Sequence, residues 1–228
     1  EELEQLRVRG ERMRMQATRA LWARDYGQLL YWTGDPTLLA PHVKNGLGFS
    51  PNDTPLARSY KLRALVEMEL LPEAREALAS LTSESLRDLP QDRDYLAVLS
   101  QFSMAVAELE SREHADVLYE LLAPYPMLYA TSISFECVGS VSHFLGQLAR
   151  VRGQLPTALQ HIEQAITYNE RAELRACVVR SQYELGRLLA GEGALRDITR
   201  ARALLAEARE TALALGLAPL LRRIDACG

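Results

Sequence analysis

One pattern recurs along this chain: a small residue, an apolar residue four places on, and another apolar residue three beyond that. It runs Ala74, Leu78, Leu81; Ala115, Tyr119, Leu122; Ala158, Ile162, Ala165; and Ala201, Leu205, Ala208. Offsets of four and three put each trio on one helical face. The first members are 41, 43 and 43 residues apart. A unit of that length is one supersecondary element that cannot bury its apolar face alone, so the period predicts stacked repeats.

Each trio has a partner upstream. Leu145-Gly146, Ala149 and Gly153 precede Ala158; Leu185-Gly186, Leu189 and Gly193 precede Ala201; Tyr26-Gly27, Leu30 and Gly34 repeat that order near the start, ahead of Leu39 and Val43. One helix is expected to stop near Arg152 and the next to start at about Pro156, because proline suits a first helical turn. Thr54-Pro55 and Pro72 signal further starts, Pro124 with Pro126 closes a third pair, and Gly216 ends a helix beginning near Asp197. The stretches 82–94 and 45–53 read as polar connections. Helical hairpins are therefore expected over approximately 15–46, 54–81, 92–124, 130–170 and 172–216, followed by a C-terminal helix, all within one domain. Gly146 and Gly186 fall in helix interiors, where glycine costs about 1 kcal/mol relative to alanine. Close approach of the facing helix, offering Ala158, Ala165, Ala201 and Ala208, would offset that cost.

Composition agrees with an ordered helical chain: 48% hydrophobic, 25% charged and 7% aromatic, with Val and Ile sparse. The formal net charge of −4 does not suit binding dominated by phosphate contacts, so direct nucleic-acid binding is not expected. Of the 26 basic residues only Lys44 and Lys61 are lysines. Cys137, Cys177 and Cys227 never occur in a CxxC spacing, which argues against a disulfide framework or a cysteine-rich zinc site and favours a reducing cytoplasm. The apolar runs are too short to span a bilayer, and the start is acidic rather than that of a signal peptide. Without an initiator Met, the chain is expected to be processed, trimmed or a fragment.

A large residue, then Gly, a mid-sized apolar residue, a turn Gly and an Ala–large–Ala step resembles the tetratricopeptide repeat. Residues 139–172 and 179–216 match it best; the 56–81 and 97–126 pairs keep the second-helix step but place Leu62 and Ser103 where the first-helix Gly is expected. The longer period, with ADVLYELLAPYP (115–126) and RARALLAEARETALALG (200–216), resembles the helical-repeat regions of large bacterial signalling ATPases and LuxR-type transcriptional regulators. The resemblance implies an all-α, right-handed solenoid of about five antiparallel helix pairs whose first helices line a concave surface. It also implies inward positions six and three residues before the helix Gly, and one and four after it. These hold Leu21, Arg24, Gln28, Tyr31; Leu56, Ser59, Arg63, Val66; Ala97, Ser100, Met104, Ala107; Ser140, His143, Gln147, Arg150; and Arg180, Tyr183, Arg187, Ala190. Five are Arg and none is acidic, so a groove with a positive interior is expected. Arg24, Arg63, His143, Gln147, Arg150, Arg180, Tyr183 and Arg187 are the candidate binding residues, the arginines engaging a carboxylate or a phosphorylated segment. The competing reading has these arginines pairing with acids on neighbouring helices.

Catalytic patterns are missing. There is no GxxxxGK[ST] phosphate loop, so an ATPase motor would lie outside these residues. Gly46-Leu47-Gly48 and Gly191-Glu192-Gly193 read as turns. His42, His114, His143 and His161 form no HExxH pair, and no serine sits in a GxSxG elbow. Trp22, Tyr26, Tyr31 and Trp32 read first as core of the first hairpin and second as a stacking platform. The expectation is a non-catalytic interaction or regulatory module, without cofactor or membrane association, that binds an acidic protein or peptide segment. The alternative is a small-molecule sensor in which a metabolite alters the curvature of the array.

Overall fold

The computed structural model describes residue 5 and residues 53–132, 137–191 and 195–227. The expected hairpin 15–46, with Arg24 and the aromatic cluster, lies outside the described residues, as does Gly193. The described chain is mostly helical. It runs α1 (Pro55–Glu67), α2 (Leu71–Ala79), α3 (Ser83–Arg87), α4 (Tyr95–Leu109), α5 (Arg112–Leu122), β1 (Tyr129–Thr131), β2 (Cys137–Ser140), α6 (Val141–Val151), α7 (Leu155–Arg171), α8 (Arg175–Ala190), α9 (Ile198–Leu215) and α10 (Ala218–Asp225).

Most boundaries follow the capping chemistry of the sequence. Thr54 Oγ1 accepts from the Ala57 N–H at 3.2 Å ahead of Pro55. Asp197 Oδ1 accepts from the Arg200 N–H at 3.0 Å to open α9. Gly216 takes a left-handed φ of 70° and closes α9, with the Leu217 N–H returning to Ala212 O at 2.9 Å. A left-handed residue after a helix is usually glycine, which has no Cβ to clash. Three other helix ends instead use Glu69, Glu110 and Glu173, with φ of 59°, 52° and 56°.

Two connections depart from expectation. Within 82–94, Thr82 caps the single-turn helix α3 by accepting from the Ser85 N–H at 3.1 Å, and Leu86, 2% exposed, anchors it. The first part of the 130–170 unit is an antiparallel ribbon, β1 with β2, pairing Tyr129 with Ser140 and Ala130 with Gly139. Tyr, Thr and Val suit extended backbone, and the buried Ala130 and Val138 join the main core. Gly139 adopts φ 112°, and a Cβ there would lie 3.2 Å from Cys177 Sγ. The all-α description therefore needs this short ribbon added.

Packing proceeds from neighbour to neighbour. First helices meet in α1 against α4 and α4 against α6, and the later helices meet in sequence as α6–α7, α7–α8 and α8–α9. One apolar core, including Leu62, Leu99, Phe102, Leu118, Phe144 and Leu148, joins α1 through α6. Another joins Val179, Tyr183, Ala208, Ala212, Leu217, Leu220 and Ile224 of α8, α9 and α10 with the turn before α10.

The interior glycines sit where the facing helix comes closest. A Cβ on Gly146 would lie 2.6 Å from Ile162 Cγ1, and one on Gly186 would lie 2.7 Å from Leu205 Cγ. Both partners are the middle members of the recurring trios, and Ala158, Ala165, Ala201 and Ala208 beside them are buried. In the two thinner repeats, Leu62 is fully buried and Ser103 Oγ donates to Leu99 O at 2.7 Å. Among the described residues no helix is long and apolar enough to cross a membrane.

Candidate functional site: the inner cleft

Residues that the repeat spacing made equivalent converge on one cleft. Arg63 and Val66 from α1, Met104 from α4, His143 and Gln147 from α6, and Arg180 and Tyr183 from α8 line it together. Arg63, Met104 and Gln147 each stand one place after the interior reference residue of their repeat. His143 and Tyr183 each stand three places before theirs. Four helices with the same internal register thus bring residues more than a hundred positions apart to one surface.

The expected positive interior needs correction. Glu67, Glu108 and Glu184 line the same cleft. They stand five places after Leu62, five after Ser103 and two before Gly186, next to the projected positions. A helix presents a stripe at least 100° wide, so a four-position projection omitted flanking residues that also face inward. Charges of both signs meet here.

Arg150 and Arg187 do not line this space. Arg150 donates through Nη1 to Glu110 Oε1 at 2.6 Å and through Nη2 to Ala107 O at 2.9 Å, tying α6 to the end of α4. Arg187 lies 3.6 Å from Glu184 and 5.4 Å from the Tyr183 ring centroid. Burial opposes its charge, but Glu184, then Tyr183 and Glu108, outweigh that and leave its pKa raised. Arg63 is 2% exposed, with its guanidinium carbon 5.3 Å from the Tyr60 ring centroid.

Beneath the cleft runs a buried polar network that the spacing did not reveal. Asn169, fully buried on α7, accepts through Oδ1 from the Ser140 N–H at 2.9 Å and donates through Nδ2 to Ser181 Oγ at 3.4 Å. Ser181 gives its one proton to Cys177 O at 3.0 Å. His143 Nδ1, 3.0 Å from Ser181 Oγ, must therefore be the donor in that pair. Burial, then the charge of Arg180, pushes the His143 pKa down to about 3, so the ring is neutral, with its acceptor at Nε2. Gln147 Nε2 donates to Glu184 Oε1 at 3.1 Å, while Gln147 Oε1 is buried without a hydrogen bond.

The His143–Ser181 pair runs opposite to a nucleophile and its base, because the imidazole donates to a hydroxyl whose own proton is already committed. No group of three or more metal-ligating His, Cys, Asp or Glu occurs among the described residues. Tyr183, raised to about 12 chiefly by burial, stays protonated at neutral pH.

The expected C-terminal helix, α10, closes the cleft. Leu220 and Arg223 of α10 form part of its wall. Arg223 reaches Glu108 Oε1 at 2.8 Å through Nη1 and lies 3.6 Å from Glu67 Oε2 through Nη2. Leu217, Leu220 and Ile224 give α10 and its preceding turn one apolar face, but nothing local says which surface receives it. The space left is about 20 Å³, roughly what one water needs. No protein-family model matches this chain and no curated protein sequence matches it.

Proposed function

We propose that this chain is a non-catalytic helical-repeat module, a right-handed tetratricopeptide-like solenoid, that holds a protein segment along the cleft formed by its first helices. Its setting, on the resemblance of 115–126 and 200–216, is a larger bacterial signalling or transcription-regulating ATPase in the cytoplasm. The observation that carries the reading is the convergence of Arg63, Met104, Gln147, His143, Arg180 and Tyr183 on one cleft. Equivalent positions in successive repeats form a continuous surface of mixed polarity, which is how repeat arrays bind extended partners.

With α10 seated the cleft leaves about 20 Å³, far below the 300–1,000 Å³ of ordinary ligand pockets, so a metabolite and a protein segment alike require α10 to move. What favours the segment is the run of equivalent positions along several helices. A photo-crosslinking amino acid at Met104 or Gln147, compared with one at exposed Glu76 on α2, tests the proposal in the source cell. Adducts to one protein from the two inner positions and none from Glu76 are the expected result. Equal labelling from all three would remove the cleft as the binding surface.

A further inference from the structure

We propose that α10 is an internal occupant of the inner cleft, and that the partner which replaces it is an amphipathic helix carrying an arginine three residues after a leucine. This rests on the reading of the cleft as a binding surface and names what it binds. The sequence alone suggested an acidic partner. The geometry points to a cationic one, because the guanidinium that the cleft holds is received by two carboxylates on two different helices, Glu67 of α1 and Glu108 of α4.

Three observations support displacement rather than a permanent cap. First, α10 spans eight residues, about two turns, and helices that short are not stable alone in water. It stays in place through Leu217, Leu220 and Ile224 against Val179, Tyr183, Ala208 and Ala212, together with the Arg223 fork. Second, it follows the left-handed turn at Gly216, so a change at one turn would move it as a unit. Third, α10 leaves one polar atom of the cleft to solvent: Gln147 Oε1 has no protein hydrogen-bond partner and borders a space the size of one water. A partner helix repeating the leucine and arginine contacts and also placing a donor there would add a direct hydrogen bond that α10 does not make.

The test uses the full chain and a fluorescein-labelled synthetic peptide, LAPLLRRIDA, copying residues 217–226. Arg223→Glu places a carboxylate against Glu67 and Glu108 and should release α10. The labelled peptide is then expected to bind this variant at least tenfold more tightly than the wild-type protein, and the same peptide with glutamate at the position of Arg223 should not bind. Adding Glu108→Lys to Arg223→Glu should restore both peptide exclusion and slow amide exchange across 218–225. Equal peptide affinity for wild type and Arg223→Glu, or unchanged exchange of α10 in that variant, would overturn the proposal. Melting curves confirm that each variant is folded, and slow exchange in α4 and α6 serves the same purpose if melting is broad. If α10 exchanges places with the peptide but the inner crosslinks capture nothing, the lock stands and the binding function falls. If the crosslinks succeed while α10 stays fixed, the binding function stands and the lock falls.

Discussion

Ile162 occupies the space that a side chain at Gly146 would need. A Cβ built there would lie 2.6 Å from Ile162 Cγ1 and closer still to Cδ1, with the Ala158 carbonyl oxygen at 3.2 Å. Gly146→Ala gains about 1 kcal/mol of helix propensity but must turn Ile162 from its place or push α6 from α7. Overpacking costs about 1–3 kcal/mol, so the variant is expected to melt below the wild type, and Gly146→Leu lower still. Ile162→Ala in the same chain should relieve the clash, making the double variant less destabilised than the sum of the singles. Thermal melts of the four proteins read this directly.

His143 predicts an acid limit. Its folded pKa is lowered to about 3 from an ordinary 6.5, so between those values the unfolded chain binds one proton more than the folded one. Stability is full above about pH 6.5 and declines as pH falls through that window, by about 1.4 kcal/mol per pH unit. His143→Asn keeps a donor for Ser181 and removes the titration. From pH 7 to pH 5 the wild type should lose about 2 kcal/mol more than this variant in urea unfolding at each pH.

Asn169 is expected to be among the most sensitive polar positions. It holds the Ser140 N–H at the junction of β2 and α6, and it meets Ser181 on α8. Asn169→Ala leaves a buried donor unanswered and should cost about 2–3 kcal/mol. Asn169→Asp keeps the acceptor but buries a charge, and should be no better. Chemical denaturation compares the two.

Glu173 should improve as glycine. It is exposed and held at φ 56° after α7, a conformation that side chains disfavour. Glu173→Gly is expected to stabilise by about 0.5–1 kcal/mol, partly offset by the greater freedom of the unfolded chain. Glu110 shares that geometry but pairs with Arg150 at 2.6 Å, so Glu110→Gly should gain less. The difference in melting temperature between the two variants tests this.

The helix pairs and their close contacts were legible in the sequence because they depend on short-range chemistry. Thr54, Asp197 and Gly216 act through neighbours within four residues, and the spacing from Gly146 and Gly186 to the next trio reflects how near one helix comes to the following one. The inner surface was only partly legible. Periodicity gives the angle of a residue around its own helix, which brought Arg63, Met104, His143, Gln147, Arg180 and Tyr183 together. It says nothing of contacts made across many repeats. The seating of Arg223 between Glu67 and Glu108, 156 and 115 residues away, and the neutral state of His143 against Ser181 and Arg180, exist only when distant helices are assembled. Local torsions and caps determined the helices; long-range burial and charge pairing, which need tertiary structure, decided what the cleft is made of and what fills it.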